Sequence, residues 1–421
     1  MDKEAGSHKT QAIEWTAPER LAVASLLHGG PLPTLERYRV LEIGCGDGAN
    51  LIPLAYYRPQ AEFLGIDQDI HQTNIAKARC TALRQHNIHF RNSRDLQWND
   101  LAEGHFDFII VHNLISHLPF DVRNQLLETC HNKLTENGLL YINYYSKPGW
   151  NVRGMVREYL LAHTRDAQTA EEKSTLAQSS ANKMVRSLAA SKHPYSRLLA
   201  SEFQRVCEID TELLDQEYLG PHLQAYWRSE FLELAEQFDF HFVIEADFNY
   251  SSGRTNTSLA KQIESQDLIG TNLTDTVDLL SYRQSHAPLF CKHHIQIPQP
   301  APDKLALLSI ASCLHPAGPH RAGWYQHPNG YQLQIQDPSM AYALDKLLQL
   351  WPDSAPISSL FEPNERTLDN LLTLHKSGLL ELRIPNAYTA DRSPHLNPLN
   401  QMELQWHRYY TSADHQRISH T

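Results

Sequence analysis

One short stretch constrains the fold more than any other: Val40-Leu41-Glu42-Ile43-Gly44-Cys45-Gly46-Asp47-Gly48-Ala49-Asn50. An apolar run carries an acid, three glycines follow at every second position, and a helical pattern begins near Asn50. This is the signature of a strand, a tight turn and a helix start. Glycine in such a turn admits positive φ and lets a ligand come close to the backbone. Dinucleotide sites use the same turn, but they space their glycines G-x-G-x-x-G and want a phosphate at the helix N-terminus. Here the spacing is E-x-G-x-G-x-G. An acid just ahead of the first glycine repels a phosphate and suits a ligand that carries an amine or a sulfonium.

Downstream, strand and helix patterns alternate. Strands are expected at Tyr38–Ile43, Phe63–Asp67, Ile88–Asn92, Phe106–His112 and Leu139–Tyr145, with helices from Asn50, His71 and Pro119 between them. A further helix is expected to start at Thr16 as N-cap, with Glu19 three residues on. Strands that are nearly continuous in apolar residues imply a parallel sheet covered on both faces. Ligands of such sheets lie outside the carboxyl ends of the strands. The residues there are Gly44, Gly46 and Gly48 after strand one, Asp67 after strand two, Asn92 to Asp95 after strand three, His112 and Asn113 after strand four, and Tyr144, Tyr145 and Trp150 after strand five. Asp67 stands about twenty residues past the glycines, where an acid accepts hydrogen bonds from ribose hydroxyls.

These motifs resemble class I S-adenosylmethionine-dependent methyltransferases. Leu51-Ile52-Pro53-Leu54-Ala55, Phe63 to Asp67, Phe106 to His112 and the Tyr144-to-Trp150 segment ending in Pro-Gly-Trp narrow the resemblance. They look like methyltransferases that carry a methyltransferase regulatory domain, a group that includes bacterial lysine methyltransferases of outer-membrane proteins. The resemblance implies S-adenosylmethionine as cofactor, held by Glu42, Gly44, Gly46, Gly48, Asn50, Asp67, Asp95 and His112. It implies Tyr144, Tyr145 and His112 as catalytic groups that orient an amine or relay its proton, and Tyr144 and Trp150 as substrate contacts. Two departures stand out: Tyr144-Tyr145-Ser146-Lys147 where the family commonly has Tyr-Asn-Thr, and Arg94 where an adenine-side acid is expected, with Asp95 one place on. Lys147 repels an incoming cation if it points inward.

The expected architecture is α/β. A Rossmann-like, seven-stranded class I methyltransferase domain covers 1–160, a mainly helical regulatory or substrate domain covers 161–300, and a small winged-helix-like domain covers 301–421. The helical domain is expected over the mouth of the cofactor cleft. Helices are expected at Ala306–Cys313, Met340–Trp351 and Thr367–Leu374, with strands at Tyr331–Ile335 and Leu379–Arg383. Residues 301–421 hold nine Lys plus Arg against eleven Asp plus Glu, and the chain's net charge is -11. Phosphate binding needs a basic footprint, so nucleic acid is not an expected partner. No run approaches the ~18 apolar residues of a membrane span, so no insertion is expected. Six scattered cysteines without a C-x-x-C pair argue against a disulfide framework or zinc, and His293, His294, His315 and His320 fit no zinc spacing. The N-terminus lacks an apolar signal core, which makes the cytoplasm the expected location. The expected substrate is a protein or peptide lysine. A small-molecule acceptor, a cofactor-binding sensor without turnover and a homodimer stay open.

Overall fold

The computed structural model describes residues 11–93, 104–246, 273–295, 302–318, 323–328, 330–351, 353–362, 364–385, 397–405 and 409–419. Asp95, Arg94 and His320 lie outside the described residues.

The centre is one seven-stranded sheet. In chain order it takes β1 (Arg39–Ile43), β2 (Glu62–Asp67), β3 (Ile88–Asn92), β4 (Phe106–Val111), β5 (Leu134–Ile142), β7 (His241–Glu245) and β9 (Pro288–Cys291), arranged 3-2-1-4-5-9-7. The first five strands run parallel, and β9 is antiparallel to both β5 and β7. Side chains alternate between two buried layers, as a pleated strand requires. Val40, Phe63, Phe108, Ile110 and Tyr141 enter one core. Leu41, Ile43, Ile66, Ile109, Val111 and Ile142 enter the other. That double burial is why these strands read as unbroken apolar runs. Helices α2 (Leu51–Tyr57), α3 (Ile70–Ala82) and α4 (Phe120–Lys133) connect them.

Residues 161–300 do not form one separate unit, because the last two sheet strands come from residues 241–291. The helical unit is an insertion between strands five and six. It holds α5 (Lys147–His163), α6 (Ala170–Ala189), α7 (Pro194–Glu208), α8 (Thr211–Leu214) with a π turn over Asp215–Leu219, and α9 (Arg228–Glu236). Val156, Leu160, Ala177, Ala181, Phe203 and Tyr218 form its core. Residues 165–192, which suggested an exposed helix or a loose linker, are largely α6. Small Ala177 and Ala181 let that helix lie close to its neighbours. Two short strands, β6 (Tyr144–Tyr145) and β8 (Ser285–His286), pair as a ribbon, with α10 (Leu273–Leu280) leading into β8.

In the C-terminal unit, α11 (Pro338–Leu350) and α12 (Glu365–Lys376) lie with the three-stranded sheet of β10 (Ser309–Ala311), β14 (Ala355–Pro356) and β15 (Glu381–Arg383). The strands β11 (His315–Pro316), β12 (Trp324–Gln326) and β13 (Gln332–Gln334) make a second small sheet. The helix expected at 306–313 is instead a 3-10 turn followed by β10, because Ser309 to Ala311 are buried edge to edge with Glu381 to Arg383. The first helix, α1 (Pro18–Leu27), sends Val23, Leu26 and Leu27 into this C-terminal core. Thr16 does not cap α1: Ala17 holds the cap position, and the Thr16 hydroxyl donates to the Ile13 carbonyl at 2.8 Å. A final helix α13 (Pro398–Glu403) and the hairpin β16 (Tyr409–Thr411) with β17 (Arg417–Ser419) return the chain to the first domain.

Candidate active site

The carboxyl ends of β1, β2 and β4 open into a cleft of about 570 Å³. Gly44 and Cys45 of the glycine turn line it, whereas Gly46 and Gly48 are not among its lining residues; Gly44 has φ of 83° and Gly46 of 53°. Only glycine adopts this pair of left-handed conformations without steric cost. Glu42 is 3% exposed and lines the cleft. Its Oε1 accepts from Asn50 Nδ2 at 3.0 Å, and its Oε2 is buried with no hydrogen-bond partner. Burial pushes the Glu42 carboxyl up to about 8, the Asn50 bond pulls against this, and Asp67 and Asp47 reinforce it. A buried acid with an orphaned oxygen facing a cleft is a receptor for a cation.

Asp67 also lines the cleft, but its carboxylate works on the turn as well. Oδ2 accepts from the Gly46 N–H at 2.8 Å, and Oδ1 accepts from the Asp69 N–H at 2.9 Å. A carboxylate has about four acceptor positions, so two remain for hydroxyl donors. His112 stands after β4. Trp15 Nε1 donates to the Tyr141 hydroxyl at 2.9 Å, and that hydroxyl lies 2.9 Å from His112 Nδ1. A phenol hydroxyl both donates and accepts, so Tyr141 ties the His112 ring to Trp15. Asp215, Gln216, Gly220, Pro221 and His222 of the helical insertion also line the cleft.

A second cavity of about 240 Å³ adjoins the first and shares His112 and Asn113 with it. Tyr145 and Trp150 line it, together with Arg153, Arg205, Glu217, Arg283 and His286. The Tyr145 hydroxyl lies 2.5 Å from Asn113 Oδ1 and 3.1 Å from His117 Nε2. Asn113 has φ of 50°, an uncommon value for a residue with a side chain, and it aims its amide at the junction of the cavities. Burial drives the Tyr145 phenol well above its ordinary range, and Glu217 adds to this. Tyr145 therefore stays protonated near neutral pH and acts as a hydrogen-bonding group.

Residues 41–140 match the family model described as a methyltransferase domain. The chain carries a class I methyltransferase domain. Such a domain takes its methyl group from S-adenosylmethionine, and the orphaned Glu42 oxygen beside the glycine turn fits that cofactor's ammonium. Over 97% of this chain, the fold superposes on the structure of PKMT2 from Rickettsia typhi with a TM-score of 0.75 at 20% identity, covering 85% of that chain. The same protein in complex with AdoHcy gives 0.74 at 21%. Among curated sequences, RP789 of Rickettsia prowazekii is 28% identical over 286 residues, which span 67% of this chain and 51% of that protein. RP028 of the same organism is 28% identical over 225 residues, 53% of this chain and 90% of that one. The chain thus spans about half the length of RP789.

Within the methyltransferase domain the structure separates two tyrosines that the sequence leaves equivalent. Tyr144 is not at the active site. It is 1% exposed, stacks on Phe231 at 3.8 Å between ring centroids and on His286 at 5.3 Å, and lines neither cavity. Alternation along β6 turns Tyr145 to the cavity and Tyr144 into the core behind it. Trp150 stacks on Tyr145 at 3.8 Å, and Arg153 sits 4.6 Å over its ring. The cation held by Trp150 is therefore the chain's own Arg153, and the indole acts as the wall that fixes Tyr145. Asn50 lines the cleft, but its side chain is spent on Glu42 and the chain termini. Lys147 points away from the cavity, its Nζ 2.6 and 2.7 Å from the two Glu230 oxygens.

Arg153, Arg205 and Glu217 were not foreseen. Glu217 Oε2 lies 3.1 Å from Arg205 and 3.6 Å from Arg153. No motif marks them, since each is one charge on an amphipathic helix or turn. His286 is a further surprise. It lies 3.0 Å from Glu245 and 2.7 Å from Asp278. Burial opposes its charge, but Glu245 and Asp278 outweigh burial and raise its pKa. Among the described residues no group of three or more His, Cys, Asp or Glu is placed to hold a metal, and no helix is long and apolar enough to cross a membrane.

Proposed function

We propose that this protein methylates nitrogen, and that its acceptor is the lysine side chain of a protein or peptide. The observation that carries the reading is the joining of two cavities at His112 and Asn113: a cofactor cleft lined by Glu42, Gly44 and Cys45, and an acceptor cavity roofed by the helical insertion. Bound S-adenosylmethionine supplies a methyl group on a sulfonium, which an amine displaces in line. The chain's own task is to hold donor carbon and nitrogen about 3–3.5 Å apart and aligned. Asp67 and Glu42 fix the cofactor end. Tyr145, locked by Asn113, His117 and Trp150, orients the acceptor.

A lysine amine titrates near 10.4 in water and must shed a proton before it attacks. Fixed guanidinium groups on Arg153, Arg205 and Arg283 disfavour an ammonium in the cavity, as does exclusion of water. Both effects lower the pKa of an entering amine. Water at the cleft mouth is the exit for its proton, and His112 helps to orient the amine. The resemblance of the fold to PKMT2, a protein lysine methyltransferase, supports the same choice.

A second reading rests on those arginines. Three arginines against two glutamates, Glu14 and Glu217, also attract an anionic acceptor, which would make the substrate a small acid. One experiment divides the two. The protein is incubated with methyl-labelled S-adenosylmethionine and a bacterial protein extract, and products are mapped by mass spectrometry. Label on lysine Nζ is expected. Label only on carboxylates, hydroxyls or free metabolites overturns the lysine reading and leaves methyl transfer standing.

A further inference from the structure

Glu42 is oriented from the far end of the chain. Asn50 Nδ2 donates to Glu42 Oε1, while Asn50 Oδ1 accepts from the Ile13 N–H at 2.9 Å and lies 2.8 Å from His415 Nε2. His415 is 1% exposed, and its Nδ1 has no partner. Burial, aided by Arg58 and Arg20, drives its pKa well below the ordinary value, so the ring is neutral and carries one proton. With Nδ1 unpartnered and Nε2 against a carbonyl-type oxygen, that proton sits on Nε2. These two nitrogen donors, with the Thr16 hydroxyl at 3.2 Å, then face one side of the Asn50 amide. Turning the amide over would set its NH₂ against both. They therefore fix which end of Asn50 meets Glu42, whose Oε2 is left without a hydrogen-bond partner.

The hairpin that brings His415 is itself tied down. Tyr57 donates its hydroxyl to the Thr411 carbonyl at 3.1 Å, and Asn400 Nδ2 donates to the same carbonyl at 3.0 Å. Gln416 Nε2 donates to Glu14 at 3.0 Å. The residue reached is 365 positions from Asn50 in sequence, so no local requirement of the turn explains it.

We propose that the C-terminal hairpin is a working part of the cofactor site, in which His415 is a positioning residue that sets Asn50, and through Asn50 sets Glu42, for the ammonium of S-adenosylmethionine. The proposal rests on the assignment of the cleft to that cofactor. It gives the C-terminal unit a role in donor binding, in place of nucleic-acid recognition.

Calorimetric titration of the full chain with S-adenosylhomocysteine tests it, with His415→Leu and His415→Gln beside the wild type and unfolding followed in parallel. Leucine fills the space without a donor, whereas the glutamine amide can restore one. The leucine variant is expected to bind about tenfold more weakly at a temperature where it is fully folded. The glutamine variant is expected to bind within about threefold of wild type. Equal affinity of the leucine variant and wild type overturns the proposal, as does a glutamine variant no better than leucine, which would mean that the ring only fills space. If the leucine variant does not fold, Tyr57→Phe loosens the hairpin without touching the cleft. It should weaken binding about threefold, and unchanged binding overturns the proposal. A wild-type chain that binds no S-adenosylhomocysteine would refute the cofactor assignment instead, so the two failures are told apart.

Discussion

The proposed cofactor cleft and acceptor cavity share Gln11, Ile13, His112 and Asn113 and are built in opposite ways. Most of the cleft comes from strand ends between Glu42 and Leu118, and the sheet itself dictates where those ends fall. The cavity gathers residues 11–15, 112–113, 143, 145, 150, 153, 205, 217 and 283–287 from across the chain. On the proposed reading a rigid sheet holds the donor, and contacts between separate units hold the acceptor. Changes in the first should alter donor affinity, and changes in the second should alter turnover while leaving the donor bound.

The largest test of that division is Tyr145→Phe. Loss of the hydroxyl that meets Asn113 and His117 should lower turnover about 100-fold, within the range for a positioned hydrogen-bonding or proton-transfer group. Affinity for S-adenosylhomocysteine should stay within twofold. Single-turnover kinetics with calorimetry reads both, and a matching fall in affinity would erase the division. Next, Glu42→Gln keeps the shape and the Asn50 contact but removes the charge. It should cost about 1.5–3 kcal/mol of donor affinity, the usual worth of a hydrogen bond to a charged group. A donor-saturated variant should then turn over at close to the wild-type rate.

A subtler effect belongs to the same residue. Burial holds Glu42 protonated below about pH 8 in the empty cleft. A cation beside it favours the carboxylate, so donor binding near pH 7 should release about one proton, and affinity should rise as pH climbs toward 8. Titrations in buffers of different ionisation enthalpy measure that release. If none is seen, Glu42 does not meet the ammonium. The smallest expected effect is Tyr144→Phe. Its hydroxyl is buried without a partner, so turnover should change less than twofold and stability should hold or rise slightly. A large loss of turnover would return Tyr144 to the active site.

The same contrast governs what was legible beforehand. The glycine turn, Glu42 and Asp67 could be read because a ligand that approaches backbone demands glycine, and a strand end demands a position. Gly149 was legible as part of Pro-Gly-Trp, and its reason is now physical: a Cβ there would stand 2.5 Å from the Arg283 carbonyl oxygen. Tyr144 and Tyr145 could not be ranked, because one step of register decides between core and cavity, and that step is set by pairing with Ser285 and His286. The extent of the helical unit, expected over 161–300, was missed for a related reason. β7 and β9 follow a helical stretch of the chain, and nothing local says that they rejoin the first sheet. Asn50 was placed in the cleft, but its partner His415 lies beyond any window that periodicity can span.

The apolar face of α1 is divided between two cores. Leu21, Ala22 and Ala24 sit with the central sheet, whereas Val23, Leu26 and Leu27 sit with the C-terminal unit. A ribosome delivers these halves far apart in time, because synthesis runs at roughly 5–20 residues per second and domains condense as they emerge. The sheet can close on one side of α1 once β9 is out. The other side stays greasy and uncovered until α11 and α12 arrive. Joining such distant segments pays loop-closure entropy before it is rewarded by contacts, so docking of the last unit should be the slow step of folding. During that interval the nascent chain offers a sticky stripe at its oldest helix, and any truncation before residue 380 makes that vulnerable interval permanent.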